Sequence, residues 1–369
     1  MNYINGFRQM AAANHYRASL VRHGRHLARQ GRHLHLMEVC GSHTMAIARF
    51  GIRDFLPDNI TLISGPGCPV CVTVPGVIDA AIDLAAQGKI IATFGDMLRV
   101  PGSSTTLDQA RSQGGRVEIC YSPQHAVELA RNHRPTEVVF LAIGFETTVA
   151  PIMAALDGVI REAIGNFSLL TAFKQVPPAL SALIADPEMT IDGLLCPAHV
   201  SAIIGADAYL PYATNHGMAC VVAGFEPLDI LHGLEGLAEQ WVTNHPHVDN
   251  QYNRVVKPSG NRQAQRIMER YLLAVDAEWR GLGTIPSSGL ALRPEFHRYD
   301  ASHRFALAVE PGHSHPHCLC GEVLKGKMTP KRCLLFGRGC HPDHPLGPCM
   351  VSSEGSCAAE FKYASGVLS

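Results

Sequence analysis

A cysteine-rich stretch near the C-terminal end constrains the fold of this chain more than any other feature of its sequence. Six of the twelve cysteines fall between residues 318 and 357, among Gly, Pro and His, in the pattern C-x-C-x12-C-x6-C-x8-C-x7-C. Prolines interrupt the same stretch repeatedly, and few apolar residues are left from which to build a core. We therefore predict that metal or covalent links order this part of the chain.

The number and spacing of these thiols indicate the kind of link. Four thiolates complete an iron–sulfur cluster, and four can also hold a structural zinc ion. The Cys-x-Cys at residues 318 and 320 is unusual for a zinc ribbon, which favours the cluster, with zinc as the alternative. Two thiols remain beyond the four ligands, and these could form a redox disulfide nearby.

The overall composition is that of a packed globular protein without a strongly charged partner. The chain has 31 Lys and Arg against 32 Asp and Glu, a net charge of −1, which argues against binding to nucleic acid or an anionic membrane. No apolar run approaches the roughly 20 residues of a membrane span. Residues 1–32 are polar and lack the apolar core of a secretory signal, so we expect a cytoplasmic protein, in which structural disulfides are rare.

Short apolar runs alternate with helical patterns over most of the chain before the cysteine-rich stretch. Continuous apolar strands are typical of parallel sheets covered on both faces, so the alternation predicts an α/β fold. The predicted strands cover residues 34–39, 60–64, 90–94, 117–121, 138–143, 169–172, 194–196 and 219–223. Cys120, Cys196 and Cys220 lie in or next to such runs, and we interpret them as small buried hydrophobic residues.

A partial internal repetition suggests two similar α/β units. Apolar strands ending in Gly-Phe-Glu occur at residues 139–146 and 219–226. With a boundary between them, we predict one α/β domain over residues 33–130 and a second over residues 131–243. A smaller helical and cysteine-rich domain then comprises residues 1–32 and 244–369. Within it, residues 261–279 have the apolar spacing of one amphipathic helix.

Cys40 is a candidate site residue because it directly follows the first predicted strand. In α/β sheets, ligands bind beyond the carboxyl ends of the strands. The Cys40 thiol, with His43 three residues later, could hold a soft metal or act as a nucleophile, although further metal ligands would have to come from elsewhere. An inert cysteine at a strand end is the structural alternative.

A second candidate is the Cys-x-x-Cys formed by Cys68 and Cys71, which follows a strand and precedes a helix. A helix N-terminus favours a thiolate, so this position suits a redox-active dithiol, and Pro69 between the cysteines is similar to thioredoxin-type motifs. Half of a zinc site and an inert structural role are the alternatives. The sequence has no second Cys-x-x-Cys to complete a zinc site.

Taken together, five motifs resemble the HypD family of hydrogenase maturation proteins. They are MEVCGSHT at residues 37–44, GPGCPVC at 65–71, FGDMLRVPG at 94–102, IGFETT at 143–148 and GPCMVSSEG at 347–355. These motifs extend over nearly the whole chain and depart from the family at no cysteine position. The resemblance implies two similar parallel-sheet α/β domains and a smaller domain that carries a 4Fe–4S cluster.

The resemblance also implies a function, a maturation scaffold with redox activity. The family assembles the Fe(CN)2CO unit of NiFe hydrogenases, on an iron that Cys40 would share with a small HypC-type partner, with His43 close by. A HypE-type partner donates cyanide, and the hydrogenase large subunit receives the finished unit. Nothing in this role calls for nucleic acid or a membrane.

The family's cluster domain is similar to that of ferredoxin:thioredoxin reductase, which suggests roles for the six tail thiols. One member of the Cys-x-Cys pair should bind iron and the other should be redox-active. The implied cluster ligands are Cys318, Cys333, Cys340 and Cys357, and the implied disulfide joins Cys320 and Cys349. Electrons would then reach Cys68 and Cys71 by thiol exchange. Two other hypotheses stay open: a stand-alone iron–sulfur thiol oxidoreductase and a zinc-stabilised binding module.

Overall fold

The apolar runs of the sequence form the strands of two β-sheets. The computed structural model describes residues 10–363, and its fold is α/β with mainly parallel strands and a cysteine-rich C-terminal region. The strands are β1 (Leu34–Glu38), β2 (Ile60–Ser64), β3 (Ile90–Thr93), β4 (Val117–Ile119), β5 (Val138–Gly144), β6 (Phe167–Lys174), β7 (Gly193–Pro197), β8 (Ala219–Ala223), β9 (Val248–Asn250), β10 (Leu272–Trp279) and β11 (Gly283–Leu292).

The first sheet has the strand order β2-β1-β7-β8-β9, and all of its strands are parallel. Strand β1 lies between β2 and β7, with Met37 opposite Ile63 on one side and Leu194 on the other. Because the strands are parallel, the carboxyl ends of β1, β2, β7 and β8 open at one edge of the sheet. The segments that follow these four strands are therefore neighbours in space.

The second sheet has the order β10-β11-β6-β5-β3-β4. Its strands β3 to β6 are parallel, and the β10–β11 hairpin adds to β6 in antiparallel orientation. All seven residues of β5 are buried. This confirms the interpretation of continuous apolar runs as strands covered on both faces.

Helices cover both sheets, and none of those in residues 10–363 is long and apolar enough to cross a membrane. The α-helices are α1 (Met10–Arg29), α2 (Gly41–Arg49), α3 (Pro69–Val72), α4 (Pro75–Ala86), α5 (Leu107–Ser112), α6 (Pro123–Asn132), α7 (Glu146–Arg161), α8 (Val176–Ala185), α9 (Ala198–Ile204), α10 (Leu210–His216), α11 (Pro227–Val242), α12 (Arg262–Tyr271), α13 (Ala301–Arg304), α14 (Cys320–Leu324), α15 (Pro348–Val351) and α16 (Ser356–Tyr363). Short 3-10 helices cover Ile52–Phe55, Gly95–Arg99, Ala206–Tyr209, Pro294–Tyr299 and Pro330–Arg332.

The two sheets divide the chain differently from the predicted domains, which corrects that prediction. Residues 33–130 supply β1 and β2 to the first sheet but β3 and β4 to the second. Residues 131–243 supply β5 and β6 to the second sheet but β7 and β8 to the first. Local sequence shows where a strand is, whereas its pairing partner across a long crossover is decided by tertiary packing.

The predicted third domain also differs from the structure in both of the segments assigned to it. Helix α1 packs against α11 beside the first sheet, where Ser19 donates a hydrogen bond to Glu235 (2.7 Å), rather than joining the cysteine-rich region. Residues 261–279 do not form one helix, because α12 ends at Tyr271 and the chain continues as β10. There Leu272 faces Leu292 of β11, an apolar pairing that the helical spacing did not reveal.

Glu146, the first residue of α7, is a carboxyl group buried beside the second sheet. Its Oε1 accepts a hydrogen bond from the Val176 backbone N–H (2.9 Å), and its Oε2 has no hydrogen-bond partner among the described residues. Burial raises the pKa of Glu146 to about 7. The folded protein therefore keeps a proton that the unfolded chain releases near pH 4.5.

This burial predicts a pH-dependent stability that Glu146→Gln removes. The unfolded state loses the proton first as the pH rises, so the free energy of unfolding falls between pH 4.5 and 7. In the wild type, Glu146 should lower the free energy of unfolding by about 2 kcal/mol between pH 5 and pH 8. Glu146→Gln lacks this loss, so urea denaturation should show the stability of the variant rising by that amount relative to the wild type over the same interval. Equal pH slopes for the two proteins would contradict the assignment.

Candidate functional site

Four loops converge at the carboxyl edge of the first sheet. Cys40 follows β1, Gly65–Cys68 follow β2, His199 lies just after β7, and Gly224 and Phe225 follow β8. The sequence predicted the first two of these loops as candidate sites, and the parallel order β2-β1-β7-β8 places them side by side. This edge of the sheet is therefore the expected position of a ligand site.

The Cys40 thiol lies in this edge next to a histidine. The residue is only 2% exposed and directly precedes α2, and its Sγ is 3.8 Å from Nε2 of His199. Burial, with a further contribution from Glu354, raises the pKa of Cys40 to about 12. A bound metal cation would reverse this shift, because a coordinating thiol is deprotonated outright. The thiol is thus suited to hold a cation rather than to ionise alone.

Two neutral imidazoles accompany Cys40. His43 is fully buried, and its Nε2 donates a hydrogen bond to the Gly224 carbonyl (2.8 Å), so the Nδ1 lone pair is left without a partner among the described residues. The rings of His43 and His199 both contact Phe225, at centroid distances of 4.7 and 5.0 Å. Burial lowers the pKa of each histidine to about 4, which keeps both in the neutral form that binds metals.

Glu38, the last residue of β1, fixes the backbone at Cys40. Its Oε2 accepts the Cys40 N–H at 3.2 Å and its Oε1 accepts the Thr44 hydroxyl at 2.5 Å. The carboxyl group is completely buried, and burial raises its pKa to about 7. Glu38 was not predicted as a site residue, although a carboxylate inside an apolar strand was an available signal. For His199, the position just past a strand end is visible in the sequence, but taken alone it favours a structural role.

The Cys40 loop packs directly against the loop that carries the Cys-x-x-Cys. The Gly41 N–H donates to the Gly67 carbonyl (3.1 Å), and a Cβ on Gly67 would lie only 2.2 Å from the Cys40 backbone nitrogen. The C-terminal segment closes over the same loop, since Ser42 donates to Glu354 (2.6 Å). Glycine at position 67 therefore permits a contact that no other residue would allow.

Cys68 and Cys71 form a close pair at the start of α3. The Cys68 Sγ accepts the Cys71 N–H at 3.2 Å, and both side chains are buried. Burial raises the pKa of Cys71, and the largest opposing effect is a hydrogen bond from the Cys349 thiol. The pair is thus connected to the cysteine-rich region by a side-chain contact.

Cys349 lies between this pair and the other tail thiols. Its side chain contacts Cys71 on one side and Cys320 on the other, and it is fully buried at the start of α15. The Cys320 thiol in turn contacts those of Cys318 and Cys357. The thiols therefore form one continuous series of contacts from the Cys-x-x-Cys loop into the tail.

Five of the six tail cysteines line one small apolar cavity. They are Cys318, Cys320, Cys333, Cys340 and Cys357, and their apolar neighbours include Val323, Leu335, Phe336 and Met350. Within residues 10–363, no group of three or more Cys, His, Asp or Glu side chains stands in a metal-coordinating arrangement. Thiols facing an apolar cavity are nevertheless the donor set that iron–sulfur clusters use, and zinc accepts the same donors.

The remaining three cysteines are separate from this series. Cys120, Cys196 and Cys220 are at most 1% exposed, which confirms their interpretation as buried residues. Cys196 and Cys220 lie in β7 and β8, and Cys120 directly follows β4. They therefore provide controls for substitutions at the thiols of the candidate site.

Comparisons with known proteins show the family to which this chain belongs. The HypD family model, described as "Hydrogenase formation hypA family", matches residues 16–364. The hydrogenase maturation factor HypD of Azotobacter vinelandii is 44% identical, over 98% of this chain and 97% of its own length. Its counterpart in Escherichia coli (strain K12) is 44% identical over 90% of each chain, and that of Cupriavidus necator is 41% identical over 98% and 97%. This chain belongs to the HypD family of hydrogenase maturation factors.

Proposed function

We propose that this chain is a cytoplasmic scaffold with redox activity on which the Fe(CN)2CO unit of NiFe hydrogenase is assembled. Cys40 holds the iron jointly with a HypC-type partner, a HypE-type partner donates cyanide, and the hydrogenase large subunit receives the product. One observation carries the proposal: the Cys40 loop packs on the Cys68–Cys71 loop, whose thiols are in contact with those of the tail.

The surroundings of Cys40 suit an iron cargo that carries cyanide and carbon monoxide. These ligands favour soft, low-valent iron, for which a thiolate is a suitable anchor. His199 Nε2 is 3.8 Å from the thiol, and the neutral imidazole of His43 contacts Phe225, as His199 does. The Nδ1 atom of His43 has no hydrogen-bond partner among the described residues. In this proposal Cys40 and His43 belong to the chain's share of the iron site, and the HypC-type partner completes it.

We propose Cys318, Cys333, Cys340 and Cys357 as the ligands of a resident 4Fe–4S cluster. All four line the same cavity, and Cys349 does not, which supports a redox role for Cys349. Cys320 also lines the cavity, and its place in the redox pair rests on the resemblance to the reductase and on its contact with Cys349. The cluster would supply electrons to the pair formed by Cys320 and Cys349, whose thiols are in contact.

The series of thiol contacts gives a balanced route for two electrons. The Cys349 thiolate attacks Cys71 of an oxidised Cys68–Cys71 pair, which forms a mixed disulfide and releases the Cys68 thiolate. Cys320 then attacks Cys349, which forms the Cys320–Cys349 disulfide and releases the Cys71 thiolate. The dithiol at residues 68 and 71 thereby gains the two electrons that the second pair loses.

The reduced thiols of Cys68 and Cys71 supply the two electrons that cyanide transfer consumes. A thiocyanate-type donor accepts two electrons when its S–C bond breaks, and it yields a thiolate and cyanide. The dithiol provides both electrons as it closes to a disulfide, and its two protons balance the charge of the products. Because this pair lies beside Cys40, the released cyanide is close to the iron that accepts it.

Elemental analysis of the anaerobically purified protein tests the proposed cluster. We expect about four iron and four sulfide per chain, with loss of the cluster absorbance in Cys333→Ser. Cys120→Ser, which removes a buried thiol outside the cavity, should retain it. Zinc in place of iron would contradict the proposal and support the zinc-stabilised binding module. Full absorbance in Cys333→Ser would refute the ligand assignment.

A further inference from the structure

Two histidine-rich segments meet at a cavity that the proposed function does not use. One segment, HSHPH at residues 313–317, directly precedes Cys318, and the other, HPDH at residues 341–344, directly follows Cys340. A cavity of about 580 Å³ is lined by His313, His315, Asp343 and His344. We propose that these four side chains form a binding site for a divalent first-row transition-metal ion, separate from the cysteine ligands.

The backbone of the first segment is anchored to the body of the protein. The His313 N–H donates to the Ser103 hydroxyl at 2.9 Å, and Ser314 accepts a hydrogen bond from the Arg280 guanidinium at 3.0 Å. The Cys318 N–H then closes a turn onto the His315 carbonyl (2.9 Å). The positions from which the two imidazoles project are therefore fixed.

The second segment is anchored independently. The Arg99 guanidinium donates to the Pro342 carbonyl at 2.9 Å, and the backbones of His341 and His344 exchange hydrogen bonds of 2.9 and 3.3 Å. This tight turn holds Asp343 and His344 at the cavity. Two segments nearly thirty residues apart in sequence thus present ligand side chains to the same space.

Two of the proposed ligands have other contacts: the His315 Nδ1 accepts the His317 N–H at 3.3 Å, which leaves its Nε2 to bind a metal, and Asp343 lies 3.9 Å from the His341 ring. His313, His315, Asp343 and His344 are all exposed, and the Asp343 side chain is 96% accessible. Within the described part of the chain, no three of these side chains are already close enough together to coordinate one metal ion. The site therefore forms by rotation of exposed side chains on an anchored backbone, which needs no rearrangement of the fold.

The ligand chemistry selects the class of ion. Imidazoles with one carboxylate suit Zn²⁺, Co²⁺, Ni²⁺ and Fe²⁺, whereas Ca²⁺ and Mg²⁺ require mostly oxygen ligands. Arg99 also lines the cavity and opposes a cation, while Asp108 and Asp343 offset its charge. Under the proposed function the iron cargo falls within this class, but the binding inference stands without that function.

Anaerobic titration of the full-length protein with Co²⁺ tests the site, because the absorption spectrum reports the ligands. Nitrogen and oxygen ligands give only d–d bands, whereas thiolates add a charge-transfer band. We expect the wild type to bind about one Co²⁺ per chain, with d–d bands and no added charge-transfer band. In the double variant His313→Ala/His344→Ala, the affinity for Co²⁺ should fall roughly tenfold or more. The matched control, His245→Ala/His247→Ala, removes a surface pair whose rings lie 5.1 Å apart and should bind as the wild type does.

Unchanged Co²⁺ affinity in His313→Ala/His344→Ala would overturn the inference, and so would Co²⁺ binding only with thiolate charge transfer. An equal loss of affinity in the control pair would also overturn it. Circular dichroism of both variants separates unfolding from a loss of ligands. The proposed function fails independently: without the iron–sulfur cluster the tail thiols would bind Co²⁺ with a thiolate charge-transfer band, whereas the loss of affinity in His313→Ala/His344→Ala would still report the histidine site.

Discussion

Replacement of Cys349 with Ser is expected to leave the proposed iron–sulfur cluster intact and to stop electrons from reaching Cys68 and Cys71. Cys349 is the thiol that contacts both Cys71 and Cys320, and it is absent from the lining of the cluster cavity. A hydroxyl group at this position cannot form the mixed disulfide with Cys71. The variant should therefore lose the transfer step almost completely and keep the cluster absorbance.

Thiol trapping tests this prediction by measuring the redox state of Cys68 and Cys71. The oxidised protein is treated anaerobically with a one-electron reductant, quenched in acid, alkylated under denaturing conditions and analysed by mass spectrometry. We expect Cys68 and Cys71 to be labelled in the wild type and to remain a disulfide in Cys349→Ser. Cys220→Ser, which removes a buried thiol in β8, should behave as the wild type does. Equal labelling of Cys68 and Cys71 in Cys349→Ser would rule out the proposed route.

A companion variant tests the direction of the same exchange. In Cys320→Ser, Cys349 can still attack Cys71, but no thiol is present at position 320 to carry the exchange forward, and only the released Cys68 thiolate can reverse it. We expect the mixed disulfide between Cys349 and Cys71 to accumulate, which peptide mapping would detect. Its absence, with the cluster reduced, would place the exchange at another pair of sulfur atoms.

The second large effect is expected for Cys40→Ala, which should abolish co-purification of a HypC-type partner together with iron. The thiol is the anchor of the proposed cargo site. Cys40 is the described cysteine that follows β1, at the carboxyl edge of the first sheet. Removal of one buried sulfur leaves a small cavity and should lower the free energy of unfolding by only about 1 kcal/mol. Loss of the partner would therefore not result from unfolding.

The control for Cys40→Ala is Cys220→Ala, a buried cysteine in the same sheet, which should retain the partner. Quantitative pull-down under anaerobic conditions, with the cluster absorbance as a measure of folding, separates the outcomes. If Cys40→Ala binds the partner and iron as the wild type does, the scaffold proposal fails. The stand-alone thiol oxidoreductase would then be the better description of this chain.

Much of the fold was predictable because strands that are buried on both faces have a simple sequence signature. All eight predicted apolar runs overlap strands of the structure. Sheet membership was not predictable, because β1 pairs with β7 across more than 150 residues, with strands of the other sheet between them. The strand β10 was also missed, since the apolar residues of 272–279 fit a helical face as well as one face of a strand.

The candidate site divides in the same way between local and tertiary information. Cys40 and the Cys68–Cys71 pair were recognisable because each follows an apolar run, where α/β proteins bind ligands. The position of His199 beside Cys40 depends on the pairing of β1 with β7. The contact of Cys349 with Cys71 likewise depends on how the tail folds back, so cysteine spacing alone could not identify it.

Infrared spectroscopy of the protein co-purified with its HypC-type partner is the decisive test of iron binding at Cys40. We expect bands of metal-bound cyanide and carbon monoxide on the wild-type complex. Cys40→Ala should lack these bands while the iron–sulfur cluster remains. The same bands at full intensity in Cys40→Ala would contradict the claim that this thiol holds the iron during assembly.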